Sequence, residues 1–157
     1  MATLDYEIIK IEGGYSNDPD DAGGETNHGI SKRSHPKEDI KNLTIERALQ
    51  IYNDKYWKPH RLSEIANQTT ANIIFRFIVN ASASTAITRV QRVLNQFTLV
   101  TIDGILGHET LRAINAQTPI FLQNALRVSI CNYYLSIVTR KKSQKKYFEG
   151  WIKRALM

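Results

Sequence analysis

Glu12-Gly13-Gly14-Tyr15, then Asp18-Pro19-Asp20-Asp21, then Gly23-Gly24-Glu25-Thr26-Asn27-His28-Gly29-Ile30, is an irregular stretch in a chain whose other apolar residues recur at helical spacing. Its Gly, Asn, Asp and Pro residues are turn formers and leave room for at most a short β-hairpin near residues 15–32. Upstream, Leu4, Ile8 and Ile11 share one helical face, with Thr3 placed to cap it and Gly13-Gly14 to end it. Downstream, Thr44 opens a run through Ile45, Ala48, Leu49 and Tyr52 that Pro59 stops. Thr70 to Val79 carries Ile73, Ile74, Phe77 and Ile78, and from Ser84 the helical period passes through Ile87, Val90, Leu94 and Phe97. Asp103-Gly104 reads as a turn, and Leu111 with Ile114 marks a short helix. Thr118-Pro119 starts a long helix toward Thr139, because Pro suits the first helical position. Phe148, Trp151, Ile152 and Ala155 form the inward face of a last one. The predicted fold is all-α, with one irregular segment near the start.

Composition narrows the class. The chain has 157 residues, 42% of them hydrophobic and 23% charged, enough for a packed interior and against wholesale disorder. No apolar run approaches the ~20 residues of a membrane span, so stable membrane insertion is not expected. Met1-Ala2-Thr3-Leu4-Asp5 lacks a basic, then apolar, leader, which predicts synthesis in the cytoplasm without a secretory signal. The single Cys131 excludes an internal disulfide framework and a multi-Cys zinc site. His28, His35, His60 and His108 have no metal-ligand spacing, and Asp18-x-Asp20 lacks both the third ligand and the closing Glu of a calcium loop. Neither a metal nor a cofactor is expected.

The net charge of +6 is unevenly spread. Residues 1–39 are net −5, residues 40–139 net +5 and residues 140–157 net +6. An acidic head beside a basic remainder suits an acidic site next to a face that settles on a polyanion. Clustered lysines on a solvated helix face are the plainer explanation.

The acidic head holds the candidate chemistry. Glu12 falls where the first helix should end, and the helix dipole there, with partial burial against Tyr15, disfavours the ionised carboxyl. A carboxyl kept protonated can donate to a leaving oxygen as a general acid. Asp21 lies in a loop that can cross a cleft to face it, and Thr26 can hold a water by its hydroxyl. Paired carboxyls across a cleft break a glycosidic bond through an oxocarbenium-like transition state. Tyr15, Tyr56 and Trp57 have two readings, core packing or a platform on which sugar rings rest.

Glu12-Gly13-Gly14-Tyr15, Asp18-Pro19 and Gly23-Gly24-x-Thr26-Asn27-x-Gly29-Ile30 together resemble the signature of glycoside hydrolase family 108, lysozyme-like N-acetylmuramidases of phage endolysins and bacterial secretion systems. Tyr56-Trp57 and Phe77-Ile78-Val79-Asn80-Ala81-Ser82 match its later landmarks. Val90-Gln91-x-x-Leu94-Asn95, Asp103-Gly104-x-x-Gly107-x-x-Thr110-Leu111 and Gly150-Trp151-x-x-Arg154 resemble the small helical peptidoglycan-binding domain that commonly follows. The resemblance implies two small helical lobes, a lysozyme-like muramidase domain over residues 1–88 and a peptidoglycan-binding-like domain over residues 89–157. It implies Glu12 as the catalytic acid.

Asp21 and Thr26 follow from the wider likeness to phage lysozymes, although four residues separate them here where five are usual, and Asp18 is a rival for the second carboxylate. Tyr15, Asn27, Tyr56, Trp57 and Asn80 are the candidate substrate-binding residues. Arg76 replaces a usual acid, Ala81-Ser82 a common Ser-Gly, and His28 a frequent aromatic ring. The expected activity is hydrolysis of the β-1,4 bond between N-acetylmuramic acid and N-acetylglucosamine. The expected partner is bacterial peptidoglycan, reached in the periplasm or outside the cell through a holin-like export partner or another route without a signal peptide. A monomer is expected, and no nucleic acid, since no reading-helix or RNA-binding motif accompanies the basic tail. A non-catalytic peptidoglycan-binding or assembly protein on the same fold is the alternative.

Overall fold

The computed structural model describes residues 1–4, 14–17 and 24–157. They fall into two compact units, one of residues 4–59 and one of residues 60–157 with residues 1–3. The predicted first helix, with Glu12, Asp18 and Asp21, lies outside the described residues.

In the N-terminal unit the expected hairpin is present. Strands β1 (Thr26–Asn27) and β2 (Ile30–Ser31) pair antiparallel, with Thr26 opposite Ser31 and Asn27 opposite Ile30. The connecting residues have φ of 49° at His28 and 74° at Gly29. Positive φ at both positions matches the twist of a two-residue hairpin, and His tolerates it better than most side chains. Ser16 extends the ladder, exchanging two backbone hydrogen bonds of 2.8 Å with Thr26. Helix α1 (Ile45–Tyr52) starts at Thr44, whose hydroxyl accepts from the Arg47 N–H at 3.2 Å. It buries Ala48, Ile51 and Tyr52, and the Tyr52 hydroxyl donates to the His28 carbonyl at 3.1 Å, tying helix to hairpin. A wider π-helical turn, Asn53–Trp57, then carries the chain on and buries Trp57.

The C-terminal unit contains a 3₁₀ turn (Leu62–Glu64), then α2 (Gln68–Ala81), α3 (Ala83–Leu94), α4 (His108–Ala116) and α5 (Pro119–Arg140). A second 3₁₀ turn (Lys142–Tyr147) leads into α6 (Phe148–Leu156). Helix α2 is central because its apolar residues do not form a narrow stripe. Ile73, Ile74, Phe75, Phe77 and Ile78 are all buried, and α3, α5, α6 and the first 3₁₀ turn pack around it. Full burial stabilises each such side chain by about 1.5–3 kcal/mol. Trp151 of α6 stacks on Tyr134 of α5 at 5.2 Å between ring centroids. Among the described residues, no helix is long and apolar enough to cross a membrane.

Two local expectations shift. The helical period does not continue to Phe97, because α3 ends at Leu94 and Phe97 stands 40% exposed beyond it. The helix starts at Ala83, with Ser82 as its cap, the hydroxyl accepting from the Thr85 N–H at 3.4 Å. Ser82 has φ 92° and ψ 148°, a region that favours glycine. Ser82 accepts strain there that glycine would not. Ser82→Gly is expected to raise stability by about 1 kcal/mol, since relief of roughly 1–3 kcal/mol of backbone strain exceeds the lost cap and the greater entropy of unfolded glycine. Thermal melting of the full chain checks this; an unchanged or lower midpoint would show that Ser82 is not strained.

The segment between α3 and α4 is organised around one fully buried amide. The Gln91 side-chain N–H₂ donates to the Asp103 carboxylate at 2.7 Å, the Ile105 carbonyl at 3.0 Å and the Thr110 hydroxyl at 3.2 Å. Its oxygen accepts from the Gly104 N–H at 2.9 Å. Asp103 also accepts from the Ile105 N–H at 2.9 Å, and these bonds, Gln91 first, hold its carboxyl below the usual aspartate range. Gly104 has φ 74°, and a Cβ there would stand 3.2 Å from both Ser84 Oγ and Thr88 Oγ1. Asn95 closes the other end, donating to the Val100 carbonyl at 2.9 Å and accepting from its N–H at 3.0 Å. The spacing Gln91-x-x-x-Asn95 with Asp103-Gly104 and Thr110 is therefore explained by a loop clamp.

Candidate active site

The hairpin of the N-terminal unit gathers several of the predicted residues. Tyr15 is 45% exposed, and its hydroxyl donates to Glu25 Oε1 at 3.0 Å. That hydrogen bond, first among the causes, holds the phenol proton on and raises its pKa. Glu25 was not singled out by its sequence; the available signal was an acid set between Gly24 and Thr26 of the quoted motif. Thr26 is half-buried, and its hydroxyl donates to the Gly24 carbonyl at 3.2 Å. Its oxygen still has lone pairs with which to accept a hydrogen bond from a water. Tyr15 and Glu25 thus pair next to the point where Ser16 joins the hairpin at Thr26.

Other candidates point elsewhere. Asn27 is buried, and its amide donates to the Ile40 carbonyl at 3.1 Å, pinning the loop before α1. Trp57 is 3% exposed and belongs to the core of its unit, the plainer of its two readings. Tyr56 is half-buried, its ring centroid 5.9 Å from that of Tyr52. Asn80 lies in the C-terminal unit near the end of α2, exposed, with its amide donating to the Arg76 carbonyl at 2.7 Å. Glu12 and Asp21 lie outside the described residues.

The N-terminal unit also has a concavity of about 360 Å³ lined by His35, Glu38, Arg47 and Lys55, among others. Arg47 grips Glu38 with two guanidinium nitrogens and holds its carboxyl below the ordinary glutamate value. Burial pushes the His35 imidazole pKa down, which favours the neutral ring. Arg47 and Glu38 thus form an ion pair within this concavity. Among the described residues, no three His, Cys, Asp or Glu side chains gather where they could hold a metal ion.

Residues 6–81 match the family model described as Glycosyl hydrolase 108, and residues 85–156 match the one described as Predicted Peptidoglycan domain. The boundary between the matches falls at the α2–α3 junction, around Ser82. No curated protein gives a significant match. Among solved structures, Brucella abortus SagA is similar at 24% identity, covering 96% of this chain and 90% of that one with a TM-score of 0.70. That likeness establishes the fold, an all-α lysozyme-like architecture with one short hairpin. A glycosyl hydrolase segment joined to a peptidoglycan domain marks a protein that acts on peptidoglycan. Over residues 6–81 the chain is thus similar to the glycosyl hydrolase 108 family, and over residues 85–156 to a predicted peptidoglycan domain.

Proposed function

We propose that the protein is an N-acetylmuramidase that hydrolyses the β-1,4 bond between N-acetylmuramic acid and N-acetylglucosamine. The observation that carries this is the glutamate-centred motif from Glu12 to Ile30, inside the glycosyl hydrolase match and followed by the peptidoglycan match. Glu12 protonates the glycosidic oxygen as the bond to the anomeric carbon breaks. Asp21 is the second carboxylate, activating a water or attacking the oxocarbenium-like centre itself. Thr26, whose hydroxyl oxygen has acceptor capacity beyond its bond to Gly24, orients that water. Residues 1–88 supply the chemistry and residues 89–157 hold the wall, at a site of action in the periplasm or outside the cell.

Digestion of purified peptidoglycan followed by mass analysis of the products tests the proposal. New reducing ends on N-acetylmuramic acid are the expected result. Reducing ends on N-acetylglucosamine overturn the bond assignment. Sedimentation with walls and no cleavage would identify a non-catalytic binding protein instead.

Tyr15 supplies a sugar platform whose phenol is oriented by Glu25. Tyr15→Ala is expected to lower kcat/KM on peptidoglycan about tenfold, a loss of roughly 1.4 kcal/mol. Tyr15→Phe, which keeps the ring, should retain most of it. Equal losses in both variants would mean that the hydroxyl matters and the ring face does not. Steady-state release of reducing ends separates the two.

A further inference from the structure

Within the C-terminal unit, α3 and α5 flank an open groove of about 660 Å³. Arg89 and Arg92 line it from α3, Gln96 from the turn just beyond that helix, and Phe121, Val128 and Asn132 from α5. Helix α5 is apolar around most of its circumference, yet Phe121, Val128 and Leu135, spaced seven residues apart, are 58%, 62% and 51% exposed. Single exposed apolar residues need no explanation, but a row of them beside a concavity marks a binding face. Phe97 stands edge-on to Phe121 at 5.2 Å between ring centroids and adds aromatic surface beside the groove.

The charge of the groove is one-sided. Its lining includes two guanidinium groups and no carboxylate. Arg89 lies over the Tyr133 ring, 4.9 Å from its centroid, and donates to the Ser129 carbonyl at 3.5 Å. Partial burial, then the neighbouring charge of Arg92, lowers its pKa, with Arg140 adding to the effect. An anion placed between Arg89 and Arg92 would relieve that repulsion, and a planar carboxylate suits guanidinium geometry. The amides of Gln96 and Asn132 offer donors and acceptors of the kind a peptide backbone uses.

We infer that the α3–α5 groove binds the stem peptide of peptidoglycan, with Arg92 and Arg89 receiving its free carboxylates and the apolar face of α5 its alkyl side chains. The inference rests on the reading of peptidoglycan as substrate and specifies which part of it the C-terminal unit holds. In a peptide-bearing glycan strand the lactyl carboxyl of the sugar is consumed in the amide link to the peptide. The remaining carboxylates therefore lie on the peptide, and two arginines above an apolar face select peptide over bare sugar.

Titration of the full chain with a sugar-free stem tetrapeptide, followed by calorimetry or amide chemical shifts, tests this. Saturable binding is expected, with shifts clustered on α3 and α5. Arg92→Gln should weaken it at least tenfold without lowering the melting midpoint, because Arg92 is exposed. Amidation of the peptide carboxylates should weaken it as much. Arg112→Gln, which removes an exposed charge on α4 outside the groove, should leave it intact. No binding by the parent, equal binding by Arg92→Gln, or equal binding of the amidated peptide would each overturn the inference. So would a concentration-dependent dimer that Val128→Glu dissociates, since a second copy would then fill the groove. If peptide binding holds while the parent releases no reducing ends, the muramidase reading fails and the groove assignment stands. Cleavage without peptide binding has the opposite meaning.

Discussion

Glu12→Gln is expected to reduce the release of reducing ends from purified peptidoglycan by on the order of 10²–10⁴-fold, the contribution typical of a positioned general acid. The substitution retains the size and hydrogen-bonding reach of the side chain while removing the transferable proton. The loss should fall on kcat with KM little changed, as expected when an interaction is made only in the transition state. Sedimentation with cell walls should persist, because it depends on the peptidoglycan domain at residues 85–156. A Glu12→Gln protein that clears peptidoglycan at the parental rate would remove Glu12 from the chemistry. Asp21→Asn and Asp18→Asn, assayed beside it, decide between the two candidates for the second carboxylate by which one approaches the Glu12 defect.

Gln91→Leu is expected to destabilise the chain by about 3–4 kcal/mol. Gln91 is 0% exposed and makes four side-chain hydrogen bonds within the loop clamp. Leucine fills similar space but leaves the Gly104 N–H and the Ile105 carbonyl without this partner and removes the donor that faces the Asp103 carboxylate. The cost is therefore that of unmet polar groups rather than of a cavity. At roughly 2–4 °C per kcal/mol for a protein of this size, the melting midpoint should fall by about 6–16 °C. Circular dichroism of the full chain measures it, with Gln96→Ala, exposed just beyond the end of the same helix, as the control, expected within about 0.5 kcal/mol of the parent. A midpoint within about 2 °C of the parent for Gln91→Leu would show that the clamp does not organise the loop.

Both predictions begin with motif residues, but they differ in how far the sequence could take them. Glu12 owes its assignment to a long run of spaced glycines and polar residues and to the chemistry that such a run serves. Gln91 was visible only as part of a recurring pattern. Its partners lie 12, 13, 14 and 19 residues away, and no local periodicity shows that one amide will meet all of them. The Tyr15–Glu25 pair was hidden for the same reason, because it forms only when Ser16 pairs with Thr26 at the hairpin.

The sequence by itself determined the helical class, the Thr44 start of α1, the Pro119 start of the long helix and room for a short hairpin within residues 15–32. These depend on interactions between residues close along the chain, so spacing and residue type suffice to read them. It also carried the resemblance to glycosyl hydrolase 108, through the motif from Glu12 to Ile30. Only the tertiary structure decided which polar residues are spent on the fold and which face outward. Asn27 is committed to Ile40, Trp57 to the core and Gln91 to a loop, whereas Arg92 and Val128 border an open groove. The physical reason is that burial and hydrogen-bond satisfaction are set by contacts between distant segments, and the same side chain costs or contributes free energy according to what those contacts leave beside it.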